Sequence, residues 1–522
     1  MSHEESLTQK LKGDLPASIV VFLVALPLCL GIALASGAPL ISGLIAGIVG
    51  GIVVGGLSGS PLGVSGPAAG LAVIVLHAIQ DLGAFEVFLV AVVLAGCLQV
   101  LLGFLRAGVI AYYFPSAVIT GMLAGIGIII FIKQIPHAIG FNANGTTEGT
   151  WISNLGNIAD HITFGPMVIA AISLAILILW QRDFFKNNKV LSIVPGPLVA
   201  VTTGIVLGEV FASTSLSLTA KQFVSIPIVE GIEGFKSLLV FPDFSALSNL
   251  AIFKVALTLA VVGSLETLLC VEATDKLDPL KRVTPTNREL KAQGVGNIIS
   301  GMIGGLPITQ VIVRSSANIQ SGGKSKMSAI IHGFFLIASV AALPTLLNRI
   351  PLATLAAILF LVGYKLAKPA LFKKMFSEGK AQFIPFIATI LGIVFTDLLI
   401  GVGIGLAIGI ASLMIENYQL PFQIDHLPQE EGESVRIKLA QQVSFLNKAS
   451  ILKSLSTIPD GAKVEIDGTH SVYVHADVIE IIDNFVIGAE AREIDVVVKG
   501  LDHHQKGRPT GGADIKVTVP KK

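Results

Sequence analysis

The chain has 522 residues, 52% of them hydrophobic and only 14% charged, with 36 basic against 35 acidic side chains. A net charge of +1 gives no basis for nucleic-acid binding, and a mean hydropathy of +0.78 excludes an ordinary soluble protein. The three cysteines, Cys29, Cys97 and Cys270, lie in apolar context and suggest neither a disulfide frame nor a metal pair.

From residue 15 to residue 80 the chain runs 66 residues without Asp, Glu, Lys or Arg, and only His77 could titrate there. One hydrocarbon crossing takes about 20 apolar residues, so this run predicts spans at 15–36 and 39–59 and the start of a third. The first apolar run is 22 residues long and no small-residue cleavage site follows it, so it reads as a retained span. The later spans predicted from hydropathy are 66–80, 84–105, 116–132, 163–181, 193–211, 249–273, 291–304, 308–320, 326–347, 351–366, 382–397 and 399–416, fourteen in all. The 54 glycines suit helices that pack closely in lipid.

Residues 1–14 read as a cytoplasmic N-terminus and 15–416 as the transmembrane domain. After Glu416 the charge density becomes ordinary. A linker over 417–434 precedes a small α/β domain at 435–501, with strand-like VRIKL, AKVEIDG and EIDVVVKG and helix-like KASILKSLSTI and ADVIEIIDNFVIGA. Residues 502–522 read as a loose tail.

Loops of Lys and Arg orient the chain. Arg182, Lys186 and Lys189 follow the sixth span, Lys276, Lys281, Arg282, Arg288 and Lys291 the eighth, and Lys365, Lys368, Lys373, Lys374 and Lys380 the twelfth. With fourteen spans these loops share a side with the N-terminus, which places both termini and the α/β domain in the cytoplasm and the protein in the cell membrane. The opposite loops are poorer, with Lys133 in one and Lys221 and Lys236 in the other.

The third and tenth spans are broken. GLSGSPLGVSGPAAG, residues 56–70, precedes one, and GMIGGLPITQ, residues 301–310, precedes the other. Irregular backbone survives at membrane depth only where it lines a cavity or a packed interior. Matched breaks in two halves point to a transport site. Each is third of seven spans, and seven is odd, so the second half enters from the opposite face. Two half-helix N-termini then meet near mid-membrane, where free N–H groups and positive dipole ends suit an anion.

Glu266 lies about mid-way along the eighth span and needs a partner, a proton or a cation. Arg314 lies in the tenth, where it supplies positive field to an anion or pairs with Glu266. Ser65, Thr309, Ser315 and Ser316 add hydroxyls suited to an oxyanion. His77 and His332 read as packed side chains, Glu272 as interfacial, and Lys133, Lys254 and Asp397 as span-end charges. With no Walker loop, no HExxH and no Cys–His cluster, nothing suggests ATP-driven transport or catalysis.

These residues resemble the sulfate permease (SulP) anion transporters with their cytoplasmic STAS domain. KGDLPASIVVFLVALPLCLGIALASGAP looks like the family's first span and GVSGPAAG its third-span start. GSLETLLCVEATDKL, then NRELKAQGVGNIISGMIGGLPITQVIVRSSANIQSGGKSKMSAIIHG, looks like its most distinctive stretch. The resemblance implies an all-α polytopic membrane protein of fourteen segments in a 7+7 inverted repeat like that of uracil transporters. It also implies a core domain rocking against a gate domain, a small STAS-like α/β domain and a homodimer.

By position, Glu266 corresponds to an acidic site that helps hold Na⁺ in sodium-coupled bicarbonate members, with Thr309 beside it. Ser65, Gly66, Pro67 and Ala68 with Thr309, Val313, Arg314 and Ser315 correspond to the anion site. Leu28 stands where the family often has Gln after Ala-Leu-Pro, which removes a polar contact to substrate. YVHADV at 473–478 leaves no Ser or Thr where many STAS domains are phosphorylated, and the stretch around it looks like STAS domains on bicarbonate-type members. The expected function is secondary active transport of a small inorganic oxyanion, sulfate or bicarbonate, coupled to Na⁺ or H⁺ and without a cofactor. An anion channel or exchanger of the same fold, or a dicarboxylate transporter, is the alternative.

Overall fold

The computed structural model describes residues 7–109, 115–141, 163–182, 184, 194–227, 238–396, 398–419, 422–428 and 433–501. Asp397 and the stretches 142–162 and 185–193, with Lys186 and Lys189, lie outside these. Among the described residues a helix stands at each of the fourteen segments picked out by hydropathy. They are α1 (Leu7–Ala35), α2 (Leu40–Val49), α3 (Ala69–Leu82), α4 (Phe85–Phe104), α5 (Ser116–Ala138), α6 (Phe164–Leu179) and α7 (Gly196–Phe211). Then come α8 (Leu250–Leu277), α9 (Thr286–Met302), α10 (Ile312–Gln320), α11 (Met327–Ala342), α12 (Leu352–Leu366), α13 (Lys380–Phe395) and α14 (Leu398–Gln419). Among the described residues, six helical stretches are long and apolar enough to cross a membrane, and six more are shorter but apolar.

The chain divides into two compact units, residues 1–377 with 386–405, and 378–385 with 406–522. In the first, glycine sets how closely helices approach. α4 crosses α9 at Gly96 and Gly294, where a Cβ on either would lie 2.6 Å from the carbonyl oxygen of the other. α5 crosses α12 in the same way at Gly127 and Gly363, at 2.7 Å. Lipid supplies no hydrophobic drive between helices, so such close backbone contact carries the association.

One boundary differs from the expectation, and the second span runs on as expected. Helix α1 begins at Leu7, inside the stretch expected as an N-terminal tail. Its Asp14 is fully buried and accepts from the N–H groups of Lys324 and Ser325, at 2.7 and 3.0 Å, and from the Ser325 hydroxyl at 2.5 Å. The carboxylate latches the turn before α11, so a charge that looked like a terminus is a structural clamp. α2 continues past Val49 through a π-helical turn, Gly50–Val54, whose Gly50 abuts the Ser65 carbonyl.

In the second unit a sheet runs in the order β3 (Phe422–Pro428), β4 (Glu433–Leu439), β5 (Lys463–Asp467), β6 (Asp495–Lys499), with β3 antiparallel to β4 and the rest parallel. The stretch expected as a linker therefore holds an edge strand. Its alternation F-Q-I-D-H-L is strand-like but too polar to stand out beside the apolar spans. Helices Lys448–Ser456 and Ala476–Ala489 cover the sheet and bury Ile451, Leu455, Val478 and Ile482 against Val435, Ile437, Val464 and Ile466.

At the end of β5 the Thr469 hydroxyl and N–H both donate to Asp467, at 2.5 and 3.0 Å, and Arg436 donates at 2.9 Å. These bonds hold the Asp467 carboxyl down at about 2, from an ordinary 3.8.

Gly294→Val should lower stability by about 3 kcal/mol through overpacking, read as a fall in the unfolding midpoint of the detergent-purified protein. Asp467 stabilises its unit fully above its unfolded value near 3.8 and loses that effect as pH falls through about 2. The stability lost between pH 4 and pH 2 should therefore shrink in Asp467→Asn, as followed by acid unfolding.

Candidate functional site

The two interrupted segments meet. β1 (Ser65–Pro67) pairs antiparallel with β2 (Ile308–Gln310), with Ser65 opposite Gln310, Gly66 opposite Thr309 and Pro67 opposite Ile308. All six residues are buried. α3 follows β1 after Ala68 alone, and α10 follows β2 after Val311 alone, and neither N-terminus carries a side-chain cap. A three-residue ladder spans about 10 Å, and its strands run in opposite directions. Two helix N-termini, each the positive end of a helix dipole, therefore face the same small region from opposite sides.

Side chains satisfy the backbone around the ladder. Asn297 on α9 takes both groups of Ile308, accepting from its N–H at 2.6 Å and donating to its carbonyl at 3.1 Å. Asn297 also donates to Gln99 at 2.7 Å. The Val311 N–H donates to the Val64 carbonyl at 3.0 Å, and the Val64 N–H donates to the Ser315 hydroxyl at 3.0 Å. Ser315 in turn donates to the Val311 carbonyl, so this candidate anion ligand is occupied as a brace. The Gln293 amide donates to the Ser65 hydroxyl at 2.7 Å.

Glu266 on α8 lies against α3. Its carboxylate rests on Gly70, where a Cβ would sit 2.6 Å from Oε1, and the Gly70 N–H points toward it. The residue is half-buried, yet its Oε2 is shielded and has no hydrogen-bond partner among the described residues. One turn on, Cys270 receives the Ile312 N–H, the first amide of α10. One face of α8 thus presents a carboxylate to one half-helix N-terminus and a thiol to the other. Thr309 is fully buried. Its hydroxyl donates to the Gln310 carbonyl at 3.4 Å, and no hydrogen bond joins it to Glu266 among the described residues.

Arg314 is fully buried and faces away from Glu266, with no ion pair between them among the described residues. Nη2 lies 3.3 Å from Cys29 Sγ, while Nε and Nη1 have no hydrogen-bond partner among the described residues. The guanidinium packs beneath Gly66, where any Cβ would collide with it. Its cationic field thus reaches the ladder through backbone. Val313 in the first turn of α10 is 39% exposed, while Pro67 and Ala68 are buried. Glu272 pairs with Lys276 at 2.5 Å near the end of α8, in keeping with an interfacial place.

The reading by charge passed over Gln99, Gln293, Asn297, Glu289 and Cys270. Single polar residues in apolar runs, such as the Gln of GCLQV and the Asn of GVGN, are the signal that marks the first three.

Interrupted helices that meet inside an apolar bundle, with ionisable side chains at their ends, define a membrane transport protein. Residues 11–389 match the sulfate permease family, and the chain belongs to that family of transporters. A putative sulfate transporter of Bacillus subtilis, YvdB, is 30% identical over 454 residues, covering 85% of this chain and 82% of that one. The transmembrane domain of a cyanobacterial bicarbonate transporter, BicA, superposes with a TM-score of 0.66 at 26% identity, covering 76% of this chain and 99% of that one. The murine anion transporter Slc26a9 in its inward-facing state shares the fold over 95% of this chain and 86% of its own, with a TM-score of 0.75 at 17% identity.

Asn297→Ala strands both backbone groups of Ile308 in a dry interior and should cost about 3 kcal/mol. The measurement is the unfolding midpoint in detergent; an unchanged midpoint would show that Asn297 does not hold β2.

Proposed function

We propose that the chain is a secondary active transporter of a small inorganic oxyanion, sulfate or bicarbonate, working by alternating access. The observation that carries this reading is the antiparallel crossing of β1 and β2, which aims two helix N-termini, neither capped by its own N-cap side chain, at one region. Amides and dipoles suit an anion there, and Arg314 adds a permanent charge that no carboxylate neutralises among the described residues. Opposite strand directions also fit an inverted 7+7 arrangement of fourteen crossings. Two relatives, the putative sulfate transporter YvdB and the bicarbonate transporter BicA, bracket the substrate.

The co-transported ion is a proton. Glu266 has one oxygen facing an amide and the other shielded and unpaired, beside a thiol. A hard cation seeks several oxygens, and among the described residues no group of three His, Cys, Asp or Glu side chains gathers at this carboxylate. A proton neutralises the stranded oxygen without further ligands. Both termini and the STAS-like unit lie on the cytoplasmic side of the cell membrane, where the basic residues Lys276, Lys281 and Arg282 stand, and the working form is a homodimer.

Radiolabelled sulfate and bicarbonate should accumulate uphill in proteoliposomes under an inward proton gradient and not under a Na⁺ gradient. Glu266→Gln should abolish the response to the proton gradient while leaving counterflow of unlabelled for labelled anion. Flux that never exceeds equilibrium would make the protein a channel, and stimulation by Na⁺ would return Glu266 to a sodium site.

A further inference from the structure

A second carboxylate inside the first unit is unused by that mechanism. Glu289, in the first turn of α9, is fully buried, and both its oxygens are acceptors. The Ser58 hydroxyl donates to Oε2 at 2.5 Å and the Gln293 amide to Oε1 at 3.0 Å. The same Gln293 nitrogen donates to Ser65 Oγ at 2.7 Å. Gln293 is itself fully buried. Its orientation is set by charge, since an amide oxygen turned this way would face a carboxylate. Ser65 Oγ is therefore committed as an acceptor on its α9 side, and its one O–H remains to be given elsewhere.

We propose that Glu289 and Gln293 are positioning residues that hold Ser65 as a hydrogen-bond donor to the transported anion. This rests on the anion reading of the crossing. Ser65 begins β1, so the relay Glu289–Gln293–Ser65 carries an orientation from the start of α9 to the ladder. It favours a substrate oxygen that accepts over a group that donates. Arg288, adjacent on the same helix, donates through Nε to the Leu57 carbonyl at 3.0 Å and ties down the chain just before Ser58. A neighbouring loop and helix α9 therefore share the task of fixing the relay.

The test is initial-rate uptake of labelled sulfate and bicarbonate in proteoliposomes for wild type, Ser65→Ala, Gln293→Leu and the double variant, with unfolding midpoints recorded alongside. One lost hydrogen bond to a charged acceptor is worth about tenfold or more in affinity. Each single variant should raise KM about tenfold with the maximal rate within about twofold, and the double variant should be no worse than either. Glu289→Gln should raise KM in the wild-type background and not in Ser65→Ala, which carries the test should Gln293→Leu fail to fold. Additive losses overturn the proposal. So does a Ser65→Ala that lowers the midpoint but keeps its KM, which would show the hydroxyl closing on the Gln310 amide instead. Absence of saturable anion uptake by wild type overturns both this proposal and the transport reading, whereas additivity with intact wild-type uptake overturns only this one.

Discussion

A short piece of β-ladder in an apolar interior is the constraint on which the rest depends. Two helices break, and each break frees backbone amides and carbonyls where no water competes for them, at several kcal/mol per unsatisfied group. Pairing β1 with β2 satisfies part of that demand. Asn297, Ser315 and Thr267 satisfy more, the last by accepting from the Gln310 N–H at 3.4 Å. Glycine is required where the ladder is crowded. Gly66 has Arg314 beneath it, and Gly70 has the Glu266 carboxylate beside it, so a methyl group at either would displace the charged group. The polar network is thus the cost of bringing two helix ends together in a dry interior.

The charges are arranged so that neither cancels the other. Glu266 occupies the approach to the α3 N-terminus, and Arg314 lies behind β1 against Cys29. Had they paired, the crossing would be neutral and its amides would face no net field. Kept apart, the guanidinium acts across the thin backbone of Gly66 at short range in a low dielectric, where its influence is large. The anion would then meet amide donors at the surface of the site and a cation one layer deeper. On the proposed reading, such an arrangement would attract a small oxyanion without fixing it by a bidentate bond, which suits a site that must also release its cargo.

The breaks were legible in the sequence because Gly and Pro interrupt long apolar runs, and their meeting followed from parity of the span count. Glu266 and Arg314 were legible because charge is rare at membrane depth. What escaped was the direction in which side chains point. Arg314 and Glu266 lie close to one crossing, and only coordinates show that the first turns to α1 and the second to α3. Ser315 looked like a ligand and is a brace, since a hydroxyl reads the same in either role. Asn297, Gln293 and Gln99 are neutral, so a search by charge passes over them although they hold the ladder. β3 escaped because its alternation is weak beside the neighbouring apolar segments.

The hydrogen bonds described above also fall into two sets within the first unit. One gathers around the ladder and links α1, α4, α8, α9, α10 and α11, from Asp14 at the turn before α11 to Asn297 at β2. The other gathers around α12, where the Ser173 hydroxyl of α6 donates to Thr354 at 3.4 Å and Gly204 of α7 abuts that same threonine. α5 joins this second set through its glycine crossing with α12. Polar ties of this kind stiffen a group of helices far more than apolar contact, which is non-directional and tolerates sliding. Two groups tied internally in this way would suit the rocking of one helix bundle against another that the proposed mechanism needs. Under the alternating access proposed above, the ladder would travel with its own group, and the helix ends would keep their geometry while access to them changed.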